Sequence, residues 1–218
     1  MVGVCGVIGG DDRSLDEVAE TLAQTGDERR CRFDDSRFRL RGFTHPSRNR
    51  RNPGQADERD ALVWVWGNVT GHCRDGTYER RAPDEPAGAY CARLYDEAGA
   101  EFVHGLNGDF VGVVYDRDES TVSVFTDRLG TWPIHVTETD GGAVAFSSHA
   151  QSLARHPGVS PEFDEEYVVQ NLSWRGGPLG TKTPLAGVET IPPGAVTTFE
   201  LEDGTKRVDS YWRPTFAR

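Results

Sequence analysis

The sequence predicts an α+β protein of stacked antiparallel β-sheets flanked by helices. Two observations carry this. Short apolar, β-rich segments follow one another with only turn residues between them, clearest where Val111–Tyr115, Asp116–Ser120 and Thr121–Thr126 form a strand, turn and strand. Helical periodicity surfaces in only two or three places, and the 25 Gly and 12 Pro of the 218 residues supply many turns.

The elements follow in order. The opening Met1–Gly10 is apolar and glycine-rich, a buried strand ended by Asp11 and Asp12. Ser14–Thr25 is helical: Leu15, Val18 and Leu22 share a face, and Ser14 with Glu17 forms a capping box. Phe33–Phe43 alternates as a strand, and His45–Arg59 is an exposed, charged loop. Val63–Trp66 is a strand that meets a turn at Gly67-Asn68, after which the chain stays polar to Asp84. Ala87–Gly99 is a helix with Gly99 as its C-terminal cap. Leu106–Phe110 reads as a turn before the Val111 strand. Ile134–Thr137 and Ala143–Ser147 are strands, His149–Ala154 and Phe163–Asn171 short helices, and Ala195–Leu201 with Arg207–Trp212 a closing hairpin.

Composition removes several classes of function. Asp and Glu outnumber Lys and Arg by 35 to 24, a formal charge of −11, so nucleic acid and anionic membranes are excluded as principal partners. The longest apolar runs, such as Ala61–Trp66, are too short to span a bilayer, and no secretory signal opens the chain. Of the 24 basic residues only Lys182 and Lys206 are lysines, which with the acidity points to a salt-adapted, halophilic protein, with the drift of a GC-rich genome from Lys to Arg as the alternative. Cys5, Cys31, Cys73 and Cys91 are scattered, as are the six histidines, so no metal site is expected and a reducing, cytoplasmic setting is.

Several local patterns fall into one order: Cys5-Gly-Val-Ile-Gly9, a strand ending in Trp66-Gly67, Leu106-Asn-Gly-Asp-Phe-Val-Gly-Val-Val-Tyr-Asp116, Thr126-Asp-Arg-Leu-Gly-Thr-Trp-Pro133, Ala143–His149, and Gly187-Val-Glu-Thr-Ile-Pro-Pro-Gly194 before Tyr211-Trp212. The order resembles the glutaminase domain of the asparagine synthetase family, a class II glutamine amidotransferase domain, over nearly the whole chain. The resemblance implies an N-terminal-nucleophile hydrolase fold, with two antiparallel sheets between helical layers (αββα). It implies one domain over residues 1–212, with residues 213–218 beginning a linker. The ATP-using synthetase domain that follows in the family is absent, since no Ser-Gly-Gly-x-Asp-Ser loop occurs. ATP and Mg are expected only there, and no cofactor in this domain. That synthetase-type domain, in the same chain or a separate one, is the expected partner; a homodimer stays open.

In the family an N-terminal cysteine attacks the glutamine side-chain amide and its own α-amino group is the base. The resemblance implies Cys5 as nucleophile, but Met1–Val4 precede it, so activity requires loss of a leader. The family's oxyanion hole is an Asn-Gly pair; here Trp66-Gly67 aligns, with Asn68 one position late. Trp66 is also a candidate filler of the glutamine pocket. The arginine that binds the substrate carboxylate falls at Arg41, and the aspartate that binds the ammonium falls at Ala87, with Asp84 and Glu85 nearby. Asn107-Gly-Asp109 and Asp127-Arg128 read as structural, with the latter pair facing the synthetase domain as the alternative. Two readings stand: a degenerate domain kept as scaffold or partner, and a glutaminase active after leader removal.

Overall fold

The computed structural model describes residues 3–9, 14–45, 52–173 and 180–215. Two compact units divide the chain, one of residues Met1–Pro46 and Pro133–Ile191, the other of Ser47–Trp132 and Pro192–Arg218.

The first unit carries a six-stranded antiparallel sheet. Its strands are β1 (Gly3–Ile8), β2 (Arg29–Asp34), β3 (Phe38–Thr44), β9 (His135–Glu138), β10 (Val144–Ser147) and β11 (Glu189–Thr190), and they lie in the order β11-β9-β10-β1-β3-β2. The unbroken apolar run of β1 is buried at every residue, as an interior strand requires. One face of the sheet is covered by α1 (Leu15–Glu20) and α3 (Ala150–Leu153). Leu15, Val18, Ala19 and Leu22 pack there with Cys5, Val7, Phe43, Ala145 and Leu153. The opposite face carries Phe38 and Phe146, stacked with ring centroids 6.4 Å apart.

Three expectations are corrected in this unit. The helix expected over Ser14–Thr25 stops at Glu20, where the Thr21 hydroxyl donates back to the Val18 carbonyl and Glu28 takes up the amides of Gln24, Thr25 and Gly26. The capping box does not form: Ser14 has helical dihedrals, and its hydroxyl lies 3.1 Å from His156 Nε2 instead of capping an amide. Phe33–Phe43 is a hairpin, β2 to β3, rather than one strand. The residues expected to end the first strand, Asp11 and Asp12, lie outside the described residues.

The second unit carries a seven-stranded antiparallel sheet. It comprises β4 (Gly54–Gln55), β5 (Ala61–Arg74), β6 (Thr77–Arg80), β7 (Leu106–Asp116), β8 (Thr121–Thr126), β12 (Ala195–Glu200) and β13 (Lys206–Ser210). Six follow the order β13-β12-β8-β7-β5-β4, and β6 adds to β5. The helix α2 (Ala87–Ala98) buries Tyr90, Cys91, Leu94 and Tyr95 with Val63, Val65, Phe110 and Phe125. It ends at Gly99, whose φ of +56° makes the expected cap, and a 3-10 helix over Gly99–Gly105 follows.

Two expected turns are strands. β5 runs straight through Gly67-Asn68 and on to Arg74, and Leu106–Phe110 is the first half of β7. The polar, glycine-bearing ends of these strands pair with each other, Asn68 opposite Asp109 and Val69 opposite Gly108, with a register shift between Val69 and Gly71. Glycine is needed for close approach: a Cβ at Gly108 would strike the Asn68 carbonyl, and one at Gly67 (φ +98°) the Asp109 carbonyl and the Phe110 Cα. The segment read as an exposed loop, His45–Arg59, contains the short β4, and the Asn52 side chain pairs with both the N–H and the C=O of Val65. Of the expected linker, Arg213–Thr215 is irregular and 216–218 lie outside the described residues. Among the described residues no helix is long and apolar enough to cross a membrane.

Candidate functional site

Cys5 occupies the third position of β1, opposite Arg41 of β3 on one side and Ser147 of β10 on the other. The same register continues outward to Arg32 of β2, and to His135 of β9 and Thr190 of β11. Directly opposed residues of an antiparallel ladder project to one face, so these six form a single polar row across the sheet. Cys5 lies in the part of that row beneath α1, in the apolar cluster of Leu15, Val18, Ala19 and Leu22, with no exposed surface. Burial pushes its thiol well above the ordinary cysteine range; Arg41 opposes that rise and Asp16 adds to it. A thiol held protonated is a poor nucleophile.

The backbone before Cys5 is equally committed. Gly3 and Val4 pair with Phe43 and Gly42 of β3. The Val4 N–H donates to Ser148 Oγ at 3.1 Å, and the Ser148 N–H donates to the Val4 carbonyl at 2.8 Å. The Cys5 nitrogen is therefore an amide inside a ladder. Of the expected leader, Met1 and Val2 lie outside the described residues.

The Arg41 guanidinium is neutralised where it stands. Its Nε donates to Asp16 Oδ1 at 2.6 Å, and its Nη1 lies 2.8 Å from Asp34 Oδ1 and donates to the Phe33 and Leu40 carbonyls. Only 9% of the side chain is exposed, so few donors are left for a substrate carboxylate. It borders a cavity of about 430 Å³ shared with Asp16, Arg30, Cys31, Arg32 and Phe43. At the other end of the row His135 Nδ1 lies 3.1 Å from Thr190 Oγ1, and burial, helped by nearby His149, lowers its pKa to about 4. Ser147 Oγ lies 2.6 Å from Ser152 Oγ.

The remaining candidates belong to the second unit. Val63, Val65 and Val69 of β5 face α2, so by strand alternation Trp66 points to the opposite face of its sheet, where it is 1% exposed. Its indole Nε1 has no hydrogen-bond partner among the described residues. Gly67 is enclosed by Asp109, Phe110 and the Trp132 indole, whose Nε1 donates to the Asp109 carbonyl at 3.2 Å. Asn68 is exposed, and Asp84 is exposed on the turn into α2. Glu85 beside it approaches Arg93 at 3.9 Å.

The structure thus brings Cys5 and Arg41 side by side, and keeps Trp66, Gly67 and Asn68 consecutive on one strand. Sequence reasoning missed Asp16 and Asp34, which decide the charge state around Arg41, and Ser147 and His135 of the row. Their signal was the Ala143–Ser147 strand, whose register no local pattern reveals. Asp127, read as structural, accepts hydrogen bonds from the amides of Phe110, Leu129 and Thr131. Among the described residues no three His, Cys, Asp or Glu gather into a metal-binding group, and all four cysteines are free thiols.

Three comparisons bear on this arrangement. A family model described as glutamine amidotransferase domain matches residues 90–212. Among curated proteins the chain is similar to asparagine synthetase [glutamine-hydrolyzing] 2 of Bacillus subtilis (strain 168), 25% identical over 124 residues, which is 55% of this chain and 16% of that protein. It is also similar to a probable asparagine synthetase [glutamine-hydrolyzing] of Dictyostelium discoideum, 33% identical over 60 residues, 28% of this chain and 11% of that protein. The chain thus spans about a sixth or less of the length of these relatives. Among solved structures, the glutamine phosphoribosylpyrophosphate amidotransferase from B. subtilis, complexed with ADP and GMP, superimposes with a TM-score of 0.55 at 10% identity, over 97% of this chain and 50% of that one. That likeness shows the fold, the N-terminal-nucleophile amidotransferase architecture. The six candidate site residues all precede residue 90, so they rest on their own geometry rather than on the family match.

Proposed function

Because the chain belongs to the family of glutamine amidotransferase domains, we propose that it is an asparagine-synthetase-like member that keeps the fold without hydrolysing glutamine at Cys5. In this reading it serves as scaffold or partner for an ATP-dependent, amide-forming synthetase domain, which alone would use ATP and Mg. The nitrogen acceptor's chemistry would belong to that domain.

One observation carries the reading: Cys5 is mid-strand, amide-linked to a Val4 that is clasped by Ser148, and its thiol is wholly buried, which pushes its pKa up. Amidohydrolysis needs a thiolate within reach of the glutamine Cδ and a free amine to take and return the proton. Neither is present while Val4 stays bonded. The salt-bridged Arg41 and the substitution of Trp66 for an amide donor support the same reading; losing one oxyanion donor alone costs about 10²–10³ in rate.

The alternative is an active glutaminase. Removal of Met1–Val4 would turn the Cys5 nitrogen into an α-amine; the thiolate would then attack the amide carbon, ammonia would leave, and water would hydrolyse the thioester to glutamate, with the ammonia feeding asparagine synthesis. The direct pairing of Arg41 with Cys5 favours this reading, since it sets a cation beside the nucleophile.

Intact mass and ammonia release from glutamine, measured on protein purified from its native type of host, distinguish the two. The proposal expects Val4 retained and ammonia at the blank level. A mass beginning at Cys5, with ammonia release abolished by Cys5→Ser, would overturn it.

A further inference from the structure

Four of the large apolar side chains exposed on this protein fall within ten residues: Phe163 (71% exposed), Val168 (38%), Val169 (61%) and Leu172 (81%). Three belong to α4 (Glu165–Ser173), a helix with no buried residue. Its spacing explains why this is not ordinary surface. Glu165, Val168, Val169 and Leu172 stand at i, i+3, i+4 and i+7 and share one face. The half-buried residues of the helix, Tyr167 and Gln170, lie on the other side. A helix that packs on its own domain turns its apolar stripe inward; α4 turns it out.

The helix is nonetheless firmly set. Asp164 caps it through the Tyr167 amide at 2.8 Å, its own N–H donates to the Pro184 carbonyl, and Lys182 bridges Asp164 and Glu166. A pre-ordered apolar stripe of this kind is what helix-in-groove recognition uses.

We infer that the outward stripe of α4, with Phe163, is the docking surface for an apolar groove rimmed by basic side chains on the synthetase-type domain. The inference rests on the partner role proposed above. Charge selects the occupant. Lys182 bridges Asp164 and Glu166 and offsets one of their two charges, and Glu165 on the stripe and Glu162 beside Phe163 add exposed acids, so the matching rim is cationic. A second copy fits poorly: two-fold pairing would set Glu165 of each chain against an apolar residue, between molecules that each carry −11. An anionic membrane is repelled by the same acids. The relatives carry most of their length beyond the matched region, which gives such a stripe something to cover it.

The test is photo-cross-linking in native-host cells, on the natural gene product, with benzoylphenylalanine replacing Leu172 in one strain, Phe163 in a second and the exposed Val208 of β13 in a third. Cross-linked peptides are identified by mass spectrometry. The expected result is adducts from positions 172 and 163 to a domain carrying an ATP-binding synthetase sequence, within the same polypeptide or another, falling to the no-light background when Val169→Glu is added. Adducts from 172 and 163 to a second copy of this chain, or to lipid, overturn the inference. Synthetase adducts from position 208 alone also overturn it but leave the partner role intact. Adducts to such a domain from none of the three positions count against both.

Discussion

Val4 and Ser148 hold each other twice, the Val4 N–H on the serine hydroxyl and the Ser148 N–H on the valine carbonyl. The residue that would have to leave for Cys5 to gain a free amine is thus tied into the sheet. While Val4 is in place it adds two hydrogen bonds to the sheet and leaves the Cys5 nitrogen an amide.

Ser148→Ala should lower stability by about 1–2 kcal/mol, because the Val4 amide loses its acceptor while the surrounding strand stays in place. Urea denaturation of the variant beside the parent measures this. An unchanged midpoint would mean that Val4 is not anchored, and would reopen leader removal as a structurally cheap step.

The four thiols should label in an order set by burial. Cys73 is exposed and should react with iodoacetamide first, and the half-buried Cys31 should follow. Cys5 and Cys91 should stay unmodified at pH 8 until urea is added, because burial holds both thiols protonated far above that pH. Peptide mapping reads the order directly, and rapid native labelling of Cys5 would contradict its placement beneath α1.

Acid should destabilise the first unit through His135. Burial keeps its folded pKa at about 4, against about 6.5 when unfolded, so the unfolded chain binds a proton first as pH falls. The stability it contributes is complete above pH 6.5 and is lost progressively down to about pH 4. Urea midpoints measured across that window should fall for the parent and fall less for His135→Gln; parallel curves would remove His135 from the account.

Gly67→Ala should be far costlier than Gly76→Ala. Both glycines have positive φ, but a Cβ at Gly76 meets open space and one at Gly67 meets the backbone of Asp109 and Phe110. Strain alone predicts about 1–2 kcal/mol at Gly76, and strain plus overpacking roughly 3–5 kcal/mol at Gly67. Thermal unfolding of the two variants provides the comparison, and equal losses would argue against the tight β5–β7 approach.

Much of the fold was legible in local pattern. The Thr121–Thr126 strand, the Ala87–Gly99 helix with its glycine cap, and the closing hairpin each announce themselves within a dozen residues. Each stands in the structure within two residues of its expected ends. The Val111–Tyr115 strand stands too, but it reaches back to Leu106. The Gly67-Asn68 and Asn107-Gly-Asp109 segments misled for a physical reason. Glycine, Asn and Asp favour turns when isolated, but here each segment is the tight-fitting partner of the other, a relation between residues some forty positions apart.

The site divides the same way. The sequence's resemblance to the glutaminase domain of asparagine synthetases pointed to Cys5 as nucleophile candidate, to the missing amide donor at Trp66 and to Arg41, and the residues themselves placed Val4 before Cys5, because these are questions of chemical identity along the chain. Tertiary structure decided what those groups are able to do. It paired Arg41 with Asp16 and Asp34, buried the Cys5 thiol under Leu15, Val18 and Leu22, clasped Val4 with Ser148 and turned the stripe of α4 outward. Charge pairing, desolvation and the direction of a helix face depend on what the rest of the chain brings alongside, and no stretch of sequence contains its own neighbours.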